Sequence, residues 1–135
     1  MSFIKVASLY AVTFVVFFGI DLLWLGVIAR SFYREQLAGL LRGQFDILPA
    51  IVFYLIYTVG LMVFVIMPAL NNNSLIQALT LGILFGLVAY ATYDLSNLAT
   101  LKNWPVKVVF ADIFWGMAIS GIVAIVSYII GNAIK

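Results

Sequence analysis

The chain has 135 residues, 66% of them apolar and 9% charged, where a soluble domain carries about a quarter charged residues, so a water-soluble globule is excluded and a membrane protein is expected. With neither cysteine nor histidine it has no disulfide, no thiolate nucleophile, no Cys- or His-held metal or haem and no histidine acid–base chemistry. The net charge of +2 is spread over segment ends rather than gathered in a patch, which is a topology signal and argues against nucleic acid as a partner.

A helix needs about 20 mostly apolar residues to cross the hydrocarbon core, and four runs qualify, at residues 6–29, 48–70, 75–97 and 105–131. The expected fold is an all-α membrane protein, a four-transmembrane-helix bundle in a single domain spanning 1–135. The first run is too long for a signal peptide, contains Asp21 and Trp24, and ends in Val-Ile-Ala-Arg without a small-residue cleavage site, so it is expected to stay in the protein. The stretch Ser31 to Phe45 is too polar to span. It carries Tyr33, Leu37, Leu40 and Leu41 at helical spacing with Arg34, Glu35 and Arg42 elsewhere, which predicts a short interfacial helix ended by Gly43; an ordered loop over the bundle is the alternative.

Spans two and three are joined only by Asn71 to Ser74, a link so short that they must form an antiparallel hairpin. Pro68 is expected to bend the last turn of span two, while Pro49 and Pro105 fall in the first turns of their helices, where a missing N–H costs little. Ala78, Gly82 and Gly86 in span three, and Gly116, Ser120 and Ala124 in span four, recur every fourth residue, the pattern that lets helices approach closely. Arg30, Arg34, Arg42, Lys102 and Lys107 lie at one end of the bundle against Lys5 and Lys135 at the other. That bias predicts a cytoplasmic side at the basic end and both termini outside.

Asp21, Asp94 and Asp112 are carboxylates inside apolar runs. Asp21 precedes Arg30 by nine residues, about 13 Å along a helix; Asp94 precedes Lys102 by eight, about 12 Å; Asp112 follows Lys107 by five, about 8 Å. All three therefore fall at similar depth in the basic half. An ionisable group at a span's centre costs about 2.5–3.5 kcal/mol to insert and marks a functional site by default. We expect a shared pocket between spans one, three and four, in which Asp21, Asp94 and Asp112 meet Tyr90, Tyr93 and Asn97, with Thr92 and Ser96 as further donors. Arg30, Lys102 and Lys107 are the candidate counter-ions. Trp24, Trp104 and Trp115 are candidate stacking partners for a ligand, of which Trp24 and Trp115 join the site set, and Asp21–Trp24 and Asp112–Trp115 repeat one D-x-x-W spacing on oppositely directed helices. The repetition hints at an inverted repeat, although spans two and three show no matching pair. Trp104 is expected to be an interfacial anchor.

No phosphate-binding glycine loop, nucleophile elbow or catalytic triad is present, and Asp94 and Asp112 stand on different helices without a supporting motif, so no metal and no cofactor is expected. "DLLWLGVIARSFYR" (Asp21 to Arg34), "YDLSNLATLKNWP" (Tyr93 to Pro105) and "DIFWG" (Asp112 to Gly116) together resemble a family of small bacterial membrane proteins catalogued as domain of unknown function number 2177. The resemblance covers essentially the whole chain. It implies four helices in a bacterial inner membrane, and it implies no activity and no catalytic residue.

Three functions compete. The acidic pocket binds or transports a small cationic or amphipathic ligand, with proton exchange on aspartate as the coupling step; the four-helix architecture with a carboxylate in the first helix is similar to that of the small multidrug exporters, from which it departs by having three acids and one fixed orientation. Alternatively the protein is an enzyme acting on lipid at the inner leaflet, with Asp94 or Asp112 as general base and Asn97 or Tyr93 holding a headgroup. In the third reading it is a structural or accessory subunit whose polar face docks a partner helix, or a second copy in a homo-oligomer.

Overall fold

The computed structural model describes residues 1–135. It contains helices and turns alone, and the longest are α1 (Phe3–Ile28), α3 (Ile47–Asn71), α4 (Leu75–Thr100) and α5 (Val106–Ile134), each long and apolar enough to cross a membrane. A short α2 (Arg30–Gln36) follows α1. Each span matches its predicted limits to within about three residues at either end, and the protein is an integral membrane protein.

Helix starts follow from local chemistry. Ser2, Asp46 and Ser74 each accept a hydrogen bond from a backbone N–H in the first turn of α1, α3 and α4, at 3.3, 3.1 and 3.1 Å. Asn73, at φ 50°, closes the turn between α3 and α4. Pro49 lies in the first turn of α3, and Pro105 stands immediately ahead of α5. Pro68 has no N–H to return to the Phe64 carbonyl, and the turn before it widens, so that Met67 N–H bonds Met62 O instead.

A second wide turn ends α1, where Ala29 N–H reaches back five residues to Trp24 O at 2.7 Å. It turns the chain sharply into α2. The predicted interfacial helix is present but shorter than expected: it stops at Gln36 rather than at Gly43, and Leu40 and Leu41 N–H both turn back onto Leu37 O. The poor helix former Gly39 lies within this turn, which brings half-buried Leu37 and the edge of Leu41 to the cavity wall, while Leu40 and much of Leu41 stay exposed.

α4 and α5 form the tightest pair. A Cβ on Gly82 would lie 2.7 Å from Ser120 O and 2.9 Å from Ala124 Cβ, and one on Gly86 would strike the Gly116 carbonyl. The predicted small-residue stripes are thus the surfaces through which the two backbones meet. α1 packs against α3 and α5, with Phe17 fully buried, stacked on Tyr57 (centroids 4.8 Å apart) and edge-on to Tyr54 (5.4 Å). Buried hydroxyls are paired across helices: Thr13 Oγ1 donates to Ser127 Oγ (2.8 Å), and Tyr57 Oη lies 2.6 Å from Ser120 Oγ. The ammonium of Lys135 donates to Leu70 O at 3.2 Å, tying the end of α5 to the α3–α4 turn.

Candidate functional site

The ends of α1 and α4, the starts of α3 and α5, and α2 enclose a cavity of about 580 Å³. Its wall is mainly aromatic: Phe53 and Tyr57 from α3, Tyr90 and Tyr93 from α4, Trp104 from the turn before α5, and Trp115 from α5. Tyr33, Leu37 and Leu41 close the end over which α2 lies. Two carboxylates face into this wall, Asp21 from α1 and Asp112 from α5.

Asp21 is 4% exposed, and both its oxygens are held. Tyr54 Oη donates to Oδ2 at 2.6 Å, and Trp115 Nε1 donates to Oδ1 at 2.8 Å. Asp112 accepts from the Tyr33 hydroxyl, which in turn accepts from Trp24 Nε1 at 3.3 Å. Burial, and after it the hydrogen bond to Asp112, hold the Tyr33 phenol above the ordinary tyrosine pKa, so it remains a donor. The indoles of Trp24 and Trp115 stack with centroids 4.4 Å apart and planes 7° from parallel. The two D-x-x-W elements therefore cross. Each acid is reached by the other element's tryptophan, Asp21 directly and Asp112 through Tyr33.

Asp94 is different. It is fully buried, lies beside Asp112 and the Trp104 indole, and neither of its oxygens makes a hydrogen bond of ordinary length and angle. The Trp104 N–H is likewise buried and unpartnered. Asp94 lies behind the cavity wall rather than on it, and Asn97, half-buried next to Tyr93, lies off the wall as well.

Of the expected set, Asp21, Tyr90, Tyr93, Asp112 and Trp115 line one cavity, and Trp24 backs it through its stack on Trp115. The expected counter-ions do not meet the acids. Arg30, Lys102 and Lys107 are exposed, and no lysine or arginine lies within 4.0 Å of Asp21, Asp94 or Asp112; the ion pair present is Arg42–Asp46, on the surface at 3.8 Å. The physical reason is desolvation: phenol and indole donors enter an apolar interior at far less cost than an ammonium or guanidinium, which stay in water at the helix ends. Thr92 and Ser96 do not reach the acids either, because each donates to the carbonyl four residues back on its own helix.

Sequence reasoning passed over Tyr54 and Tyr57, and set Trp104 aside as an interfacial anchor. Tyr54 and Tyr57 are spaced i, i+3 in an apolar span, a signal that two hydroxyls face the bundle interior. Trp104, expected at the interface, lines the cavity instead, where Asn103 at φ 61° reverses the chain ahead of α5. No group of three or more acidic side chains is arranged to hold a metal ion.

Fold and site together define a small four-span membrane protein in which aromatic donors serve the two acids, Asp21 and Asp112, that line one cavity. The family model described as predicted membrane protein, DUF2177, matches residues 6–129, and the chain belongs to that family. No curated protein and no solved structure matches it.

Proposed function

We propose that the protein binds a small amphipathic cation in this cavity, with transport as the use its membrane setting suggests. One observation carries the reading: Asp21 and Asp112 face a wall that is otherwise apolar and mainly aromatic, and no basic side chain lies within 4.0 Å of either. An aromatic wall attracts a cation by about 2 kcal/mol or more per desolvated contact, and it accepts an apolar body equally well. The cavity's volume falls within the range of about 300–1,000 Å³ usual for small-ligand sites. The cavity lies in the basic half of the bundle, the cytoplasmic side by the charge bias.

The test uses protein in lipid nanodiscs and a fixed-charge probe, (4-phenylbutyl)trimethylammonium, set against its uncharged carbon isostere, with binding read by calorimetry and by tryptophan fluorescence. Preference for the cation of at least about ten-fold, or about 1.4 kcal/mol, is expected, together with a similar loss in Asp112→Asn. Equal affinity for the two probes, or binding that Asp112→Asn leaves untouched, overturns the reading.

A further inference from the structure

Asp94 is the polar group that neither the hydrogen-bond network nor the cavity wall employs. Its side chain is 0% exposed, both oxygens lack a donor, and no lysine or arginine lies within 4.0 Å. A carboxylate held so would forfeit its hydration with no well-formed hydrogen bond and no cation in return, which is costly for a buried charge. Its neighbours are the Asp112 carboxyl from α5 and the unpartnered Trp104 N–H from the preceding turn. The groups that face this pair from elsewhere are Tyr33 of α2, Tyr90 and Tyr93 of α4 and Asp21 of α1, and none of them carries positive charge. The one species that relieves two adjacent carboxyls in such a place, without a cation, is a proton held between them.

We propose that Asp94 and Asp112 share a single proton, and that a cation entering the cavity exchanges for it. The second half of the proposal rests on the cation-binding reading above; the first half does not. The charge balances. With its proton the pair carries one negative charge. When the cation arrives against the cavity side of Asp112, the proton leaves to solvent water, the pair carries two negative charges, and the cation restores the sum to one. Asp112 is suited to the role because it faces both ways: Tyr33 holds one oxygen at the cavity, and Asp94 stands behind. Asp94 is the proton's inner holder, sealed from the cavity, and does not touch the ligand.

Infrared spectroscopy of wild-type protein in nanodiscs without ligand tests the shared proton. A C=O stretch of a protonated carboxyl is expected at neutral pH, slow to shift in D2O, absent in Asp94→Asn, moved in frequency by Trp104→Phe, and retained in Asp21→Asn. No such band at neutral pH in the wild type, or one that persists in Asp94→Asn, overturns the shared proton without touching the binding reading. The wild-type spectrum decides even if a variant fails to fold. The exchange is read in weakly buffered solution as about one proton released per (4-phenylbutyl)trimethylammonium bound, and close to none in Asp94→Asn. Binding by the wild type without release overturns the exchange alone, whereas failure of the wild type to bind the probe overturns the reading on which the exchange rests.

Discussion

Replacing Tyr54 by phenylalanine removes one hydroxyl and nothing else from a well-packed site. It leaves Asp21 Oδ2, the acceptor at 2.6 Å, without a donor on a residue 4% exposed to solvent. A hydrogen bond to a charged group is worth about 1.5–3 kcal/mol in soluble proteins. Interhelical hydrogen bonds in membranes average about 0.6 kcal/mol and reach about 1.7, because the unfolded chain in a bilayer also finds partners. Asp21 has just two donors, each on a different helix, and little water to replace either, which places this bond at the upper end, at about 1.5 kcal/mol. A double-mutant cycle of Tyr54→Phe and Asp21→Ala isolates the term, with unfolding in SDS–detergent mixtures followed by circular dichroism. A coupling of about that size is expected, and a parallel cycle of Trp115→Phe with Asp21→Ala should return a similar value. A coupling inside the scatter of independent sites, about 0.3–0.5 kcal/mol, would refute the reasoning that aromatic donors rather than cations stabilise this acid.

Two further perturbations test other parts of the structure. Gly86→Ala places a methyl against the Gly116 backbone carbonyl, which cannot swing aside as a side chain can, and should cost about 1–3 kcal/mol of overpacking, whereas Gly26→Ala, with nothing within 4 Å, should leave the same SDS unfolding curve unmoved or slightly stabilised. Because the folded state holds the Tyr33 proton more tightly than the unfolded chain, the contribution is complete below the ordinary tyrosine pKa of about 10 and is lost as pH climbs beyond it. Alkaline titration of stability should therefore fall less steeply in Tyr33→Phe; an identical slope would remove Tyr33 from the site's energetics.

Apolar run length alone located the spans, since a bilayer leaves a chain few alternatives to helices of that length. The α4–α5 contact was legible for a similar reason. Glycines at Gly82 and Gly86 opposite Gly116 have little use in an apolar helix other than to let a neighbour approach. Depth counting placed Asp21, Asp94 and Asp112 at one end of the bundle, because rise per residue is fixed. What it cannot give is rotation about the helix axis and the closing turns. Asp94 lies behind the wall rather than on it. The basic residues were assigned to the acids by distance along the chain, whereas the acids are met by Tyr33, Tyr54 and Trp115, brought together by packing between elements far apart in sequence. Tyr33 and Trp104 reach the site through a wide turn and a residue at positive φ, two backbone features without a strong sequence signature.

The most direct measurement locates a bound cation on the chain. A diazirine analogue of (4-phenylbutyl)trimethylammonium, irradiated with the protein in nanodiscs and mapped by mass spectrometry, should label cavity residues such as Tyr57, Tyr90 and Trp104, and excess unmodified cation should suppress that labelling. Adducts confined to outward-facing residues such as Phe110 and Phe114, undiminished by competitor, would contradict a cation site among the acids.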